Sequence, residues 1–278
     1  MFRINYSFFN FSCIFIKKIM RTALITGASI GIGYELAKIF AKNKISTILV
    51  SRNEKTLQEV VKELSGFGIE ARYYAKDLSK IENAFFIYDE LKRNGITIDY
   101  LVNNAGFGID GEYTDIPWQK EVEMFNLNML TLAYFTKVFA KDMKERKNGK
   151  ILNIASTGAF QPGPYMAGYS ATKAFVLSLS EAINYELKGS GVSITTLCPG
   201  VTDTNFHEVA NSVDTIMSKL LPHAKAEDVA SYGYKIMMKG KSSGVQGFGN
   251  KLVILLSRFS PRNMVTMVTG KLLKGKTK

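Results

Sequence analysis

Short apolar runs alternate along this chain with amphipathic stretches of helical period, and that alternation restricts the fold more than any other feature of the sequence. Strands are predicted at Ala23–Thr26, Thr47–Ser51, Glu70–Ala75, Tyr100–Asn103, Lys150–Ala155 and Ser193–Leu197. Between them fall predicted helices at Gly33–Lys42, Glu54–Leu64, Ile81–Arg93, Glu121–Lys144 and Tyr169–Leu187. Parallel strands need crossovers of about this length, and uniformly apolar strands need cover on both faces. The expected class is therefore α/β, a single doubly wound parallel sheet between two layers of helices. Such sheets bind ligands at the carboxyl ends of their strands, where the strand order reverses.

With 278 residues, 46% of them hydrophobic, the chain can bury one large core. Its two cysteines, Cys13 and Cys198, stand far apart and in no metal-like spacing. Neither a disulfide framework nor a metal site is expected, and a reducing, cytoplasmic setting fits. Cys198 reads as a small buried residue. The net charge of +12 is unevenly placed: residues 22–234 hold 22 Lys/Arg against 24 Asp/Glu. The excess comes from Arg3, Lys17, Lys18 and Arg21 and from ten cations in 235–278, with no acid in either segment. A nucleic-acid partner is not expected, because no basic face carries aromatic or groove-reading elements.

Thr26-Gly27-Ala28-Ser29-Ile30-Gly31-Ile32-Gly33 follows the first predicted strand and opens the first helix. Backbone N–H groups and the helix dipole there favour a phosphate, and glycines allow its close approach. The spacing Gly-x-x-x-Gly-x-Gly differs from the general dinucleotide fingerprint, and a glycine-rich surface turn is the plainer alternative. At the end of the second strand, an acid would read the ribose hydroxyls of NAD, whereas Val50-Ser51-Arg52-Asn53 offers a base. Arg52, with Ser29 as a second partner, favours the 2′-phosphate of NADP(H), although a solvated surface arginine would look the same.

Tyr169 and Lys173 stand four residues apart, hence on one face of a helix. A lysine charge there is expected to favour the phenolate and lower the tyrosine pKa, as a general acid/base requires. Ser156, thirteen residues upstream at its own strand end, can hydrogen-bond a substrate carbonyl beside the tyrosine.

The Thr-Gly-x-x-x-Gly-x-Gly turn, Asp77-Leu78, Asn103-Asn104-Ala105-Gly106, Asn128, Ser156, Tyr169/Lys173 and Pro199-Gly200 recur in order and spacing. Over roughly residues 20–235 the chain thereby resembles the short-chain dehydrogenase/reductase family, with a Rossmann-type fold. The resemblance implies that Tyr169 exchanges the proton, Ser156 orients the carbonyl, Lys173 also binds the nicotinamide ribose and Asn128 supports a water relay; Asn126 is a rival for that last role. It implies Asp77 and Leu78 at the adenine, Asn104 near the adenosine ribose and the Ile32 backbone at the pyrophosphate. Thr202, by its backbone, and Thr204, by its hydroxyl, would meet the carboxamide and phosphates. Asn103 reads as a strand-end stabiliser. The expected reaction is a metal-free, reversible reduction of a ketone or aldehyde by NADP(H) in a homodimer or homotetramer. A non-catalytic dinucleotide-binding scaffold on the same fold is the alternative.

Residues 20–245 are expected to be the dinucleotide-binding catalytic domain. Residues 1–19 read as a start-site artefact or disordered tail, with a membrane-surface anchor as the alternative. Asn205–Leu221 has an apolar helical face, expected as a lid over a hydrophobic substrate such as a 3-oxoacyl chain. Residues 246–278 mix apolar stretches with lysines. They resemble an interfacial helix in weak contact with an anionic membrane surface, as in a reductase of lipid-linked ketones, or a helical pair packed on the domain or a partner subunit.

Overall fold

A computed structural model describes residues 21–203 and 223–274. The first half comprises β1 (Thr22–Thr26), α1 (Gly31–Lys42), β2 (Ser46–Ser51), α2 (Glu54–Ser65), β3 (Ala71–Ala75), α3 (Ile81–Arg93) and β4 (Tyr100–Asn103). Then come α4 (Trp118–Phe125), a π-turn (Asn126–Thr131), α5 (Leu132–Glu145), β5 (Gly149–Ile154), α6 (Ala167–Glu186) and β6 (Val192–Cys198). Two short paired strands, β7 (Thr202–Asp203) and β8 (Ala224–Lys225), precede α7 (Ala226–Met238), β9 (Ser243–Val245), α8 (Phe248–Phe259) and α9 (Arg262–Leu273). The main sheet has the order β3-β2-β1-β4-β5-β6-β9, all pairs parallel, and its order reverses between β1 and β4. This is the doubly wound α/β fold expected from the strand pattern. The extension at 1–19, the lid at Asn205–Leu221 and Thr204 lie outside the described residues.

The strands are apolar on both sides because both sides are covered. Ala23 and Ile25 of β1 face one layer with Leu36, Phe40 and Leu57, while Leu24 between them faces the other with Ile87, Leu91 and Phe135. Each such fully buried large side chain stabilises the fold by about 1.5–3 kcal/mol. A polar seam runs beneath the carboxyl ends of the strands. Asn103 donates to Asn153 Oδ1 at 2.8 Å and to Thr136 Oγ1 at 3.1 Å, and Asn153 donates to Ser180 Oγ at 2.9 Å. It ties β4, β5, α5 and α6 together where the site is built.

Two elements differ from expectation. The helix predicted over Glu121–Lys144 begins at Trp118 and is interrupted by the π-turn, a local insertion that often marks functional positions. At the other end, the short strand Ser243–Val245 forms on β6 and is followed by the α8–α9 pair.

Candidate active site

The glycine turn lies where the sheet order reverses, and its backbone explains the residue types. Gly27 and Gly31 have φ of 65° and 61°, in the left-handed region that penalises a Cβ. At Gly33 a Cβ would meet the Gly27 carbonyl oxygen at 2.3 Å, so the turn closes on the helix only without a side chain. The Asn104 amide nitrogen donates to the carbonyls of Thr26 and Gly27, both at 3.0 Å, and thereby holds this turn against β4. Helix α1 starts there with no side-chain cap and no acid in its first turn. Its free N–H groups and dipole suit a phosphate, so a dinucleotide pyrophosphate fits this cradle.

Around the cradle runs a cleft of about 350 Å³, lined by Gly27, Ser29, Gly31, Ile32, Arg52, Asp77, Leu78, Asn104, Ser156, Tyr169, Lys173 and Thr202. Ser29 and Ser51 share a 2.9 Å hydroxyl contact that joins the turn to the end of β2. Arg52, exposed just beyond, forms no ion pair among the described residues. Asp77 Oδ1 accepts from the N–H and hydroxyl of Ser79 at 3.0 and 2.8 Å, which fixes the loop beside Leu78. Thr202 is buried, and its hydroxyl donates to the Gly200 carbonyl at 3.0 Å.

Ser156, Tyr169 and Lys173 meet at the cleft floor. Ser156 follows β5 and accepts from the Gly158 N–H at 3.1 Å, while its hydroxyl is also hydrogen-bonded to the Tyr169 phenol. Lys173, one turn along α6, is 4% exposed; its Nζ donates to the Ile154 carbonyl at 2.9 Å and lies 5.7 Å from the Tyr169 ring centre. Asn128 stands behind them, fully buried in the π-turn. Its amide donates to the Phe107 carbonyl at 2.8 Å and to Thr172 Oγ1 at 3.1 Å, and its Oδ1 accepts from the Phe107 N–H. Gly106 makes room for this: a Cβ there would lie 2.9 Å from Asn128 Oδ1 and 3.3 Å from Lys173 Nζ.

The electrostatics correct one expectation. Lys173 was expected to lower the Tyr169 pKa, but burial pushes the phenol up to about 12. The Ser156 hydrogen bond opposes that rise and the charge of Asp110 adds to it. Burial likewise brings Lys173 down to about 8. Desolvation disfavours the charged form of each group and is the largest cause of both shifts. Asp110, in the loop after β4, is raised to about 6 by burial, and its Oδ1 is buried with no hydrogen-bond partner among the described residues. Cys198 sits fully buried in the core, its thiol raised to about 12.

The outer wall of the cleft includes residues with no sequence signal: Phe107, Leu127, Gln161, Met166, Thr269 and Leu273. Thr269 and Leu273 come from α9, and α8 docks beside them with Asn250 against Gly200. The tail thus lines the site. Nothing in its local pattern marks this, because the contact exists only after tertiary packing.

A family model described as short chain dehydrogenase matches residues 21–214. The uncharacterized oxidoreductase YvrD of Bacillus subtilis is 34% identical over 184 residues, 66% of this chain and 69% of that protein. The ketoacyl reductase HetN of Nostoc sp. is 29% identical over 253 residues, 88% of this chain and 86% of its own. A solved short-chain dehydrogenase from Sphingobium yanoikuyae in complex with NADPH superposes with a TM-score of 0.77 at 26% identity, covering 86% of this chain and 93% of that one. With the match spanning most of the chain, and the turn, serine, tyrosine and lysine gathered in one cleft, the protein is an oxidoreductase-fold member of the short-chain dehydrogenase/reductase family.

Proposed function

We propose that the protein is an NADP(H)-dependent reductase that reversibly converts a ketone or aldehyde on a largely apolar substrate to the alcohol. The observation that carries this reading is the Tyr169 hydroxyl, hydrogen-bonded to Ser156 on the floor of a cleft whose outer wall is mostly apolar. The Gly27–Gly33 turn and the α1 N-terminus would hold the pyrophosphate, Arg52 and Ser29 the 2′-phosphate, and Asp77 and Leu78 the adenine side. Lys173 and Tyr169 would meet the nicotinamide ribose, and Thr202 the carboxamide; Thr204, assigned to the same region, lies outside the described residues. When bound, the dinucleotide supplies the hydride.

The chain's own groups handle the oxygen and the proton. Ser156 donates a hydrogen bond to the carbonyl oxygen, where negative charge develops. Tyr169 gives that oxygen its proton; a phenol with a pKa near 12 is protonated at neutral pH and so starts reduction in the correct form. In the oxidative direction the same phenol must first lose its proton, so oxidation should accelerate as pH rises. Asn128 touches neither reactant among its bonds; it holds the Phe107 backbone and, through Thr172, the turn of α6 that carries Tyr169.

The wall and the relatives support this substrate class. Phe107, Leu127, Met166 and Leu273 offer apolar contact to a chain or ring, and Gln161 a single amide. The name of the Nostoc relative, a ketoacyl reductase, agrees with a 3-oxoacyl or similar ketone. Loss of NADPH absorbance with a panel of 3-oxoacyl thioesters, cyclic ketones and small polar aldehydes tests this. Apolar ketones should turn over faster than polar aldehydes, and NADPH faster than NADH. A protein that binds NADPH but reduces no carbonyl would support the scaffold alternative instead.

A further inference from the structure

Helix α8 exposes an apolar stripe rather than burying one. Phe248, Leu252, Leu255, Leu256 and Phe259 recur at helical spacing along one side, and both phenylalanines are 82% exposed. Lys251 and Arg258 recur at the same spacing along one edge of that stripe. Helix α9 is divided between two faces. Thr269 and Leu273 are buried and line the cleft, while Met264, Met267 and Val268 point out with Lys271.

We propose that α8 and the outer face of α9 form a docking surface for an anionic lipid bilayer, seated beside the mouth of the substrate cleft. Charge selects the occupant. The α8–α9 pair carries Lys251, Arg258, Arg262 and Lys271 and no acid, whereas residues 22–234 are near neutral. A two-fold contact between copies would set this cationic patch against itself, since an isologous interface pairs a surface with its own image. Anionic headgroups complement it: the stripe enters the acyl boundary while Lys251 and Arg258 extend to the phosphates. No described helix is long and apolar enough to cross a membrane, so the contact is interfacial. Because Thr269 and Leu273 sit on the inner face of the helix whose outer face meets lipid, an apolar ketone dissolved in the bilayer lies next to its entrance. That last step alone rests on the reductase reading.

Co-sedimentation of the full chain with vesicles tests the docking. At low salt the protein should pellet with phosphatidylserine-containing vesicles and not with pure phosphatidylcholine, and salt should release it. Lys251→Glu and Arg258→Glu should each lower partitioning by about fivefold or more, from the typical contribution of a cation near an anionic surface. Leu255→Ser with Leu256→Ser should also release it, with unchanged turnover of a water-soluble ketone. Equal recovery on neutral vesicles, or undiminished binding of both charge variants, overturns the proposal. So does absent vesicle binding together with a dimer that the Leu255/Leu256 variant dissociates, because the face is then an interface between copies. If a double variant fails to fold, the single Arg258→Glu variant decides. Sedimentation requires no turnover: binding without turnover would remove the reductase reading and leave the docking, and turnover without binding the reverse.

Discussion

Asn128 is fully buried with its amide bonded to Phe107 and Thr172, whereas Phe259, in the helix before the last, is 82% exposed. The regions they represent meet at one cleft, which Tyr169 and Lys173 line from α6 and Thr269 and Leu273 line from α9. On the floor, the Asn128, Thr172 and Lys173 groups taken out of water are each given a partner, because an unpartnered buried polar group costs about 1–3 kcal/mol. At the outer wall, only the inner face of α9 is buried, and large apolar side chains remain outside. A floor built this way positions atoms tightly and tolerates little change. A wall built this way can accept a surface, and it contributes shape rather than chemistry.

That contrast predicts effects of descending size. Tyr169→Phe keeps the ring and its packing but removes the exchangeable proton, so turnover should fall at least ~100-fold while NADPH affinity and vesicle binding stay near those of the wild type. Steady-state rates beside NADPH fluorescence titration read both, and a variant retaining a tenth of the rate would mean that another group delivers the proton. Arg52→Asp acts at the far end of the floor. It should reverse cofactor preference by about 10- to 100-fold in the ratio of kcat/KM for NADPH and NADH, the scale of a lost charged contact. An unchanged ratio would assign Arg52 to the solvated surface.

The smallest effect concerns Asp110. Above about pH 6 it is ionised, and its negative charge helps to hold the Tyr169 proton. Asp110→Asn removes that charge at every pH, so the phenol should ionise at lower pH. The rising limb of alcohol oxidation then shifts to lower pH and the rate at pH 9 increases a few-fold, as for one charge at an effective dielectric of about 20. A limb that stays in place would show that Asp110 reaches the phenol too weakly to matter. The same residue bears on stability: its folded pKa lies above the ordinary value of 3.8, so ionising it disfavours the fold. That cost is absent below about pH 4, grows as pH rises to 6, and persists above.

The floor was legible in the sequence and the wall was not. Ser156 follows the end of β5 and Tyr169 stands in the first turn of α6, and α3 and β4 lie at Ile81–Arg93 and Tyr100–Asn103, as their apolar spacing predicts. Tyr169 and Lys173 could be paired because four residues make one helical turn. Thr269 and Leu273 could not, since α9 packs on a segment far away in sequence, with Gly270 against Pro164. The π-turn was missed for a related reason: Asn126–Thr131 has ordinary helical residues, and what it serves, the bonds from Asn128 to Phe107 and Thr172, is long-range. The direction of the Tyr169 pKa was misread because sequence spacing reports the distance to Lys173 and says nothing about how much water remains around both.

The seam of Asn103, Thr136, Asn153 and Ser180 also acts as a registration mark for assembly. Parallel apolar strands slide past one another at little cost in burial, since Leu, Ile and Val are nearly interchangeable partners across a ladder. A slip of β5 by one residue would turn Asn153 to the opposite face, away from Ser180, and leave Asn103 facing an aliphatic neighbour. Two amides would then be stranded in a dry layer. Misaligned sheets are thus penalised while the helices are still docking, and a chain that settles into the right register has, by the same act, brought the ends of β4 and β5 level.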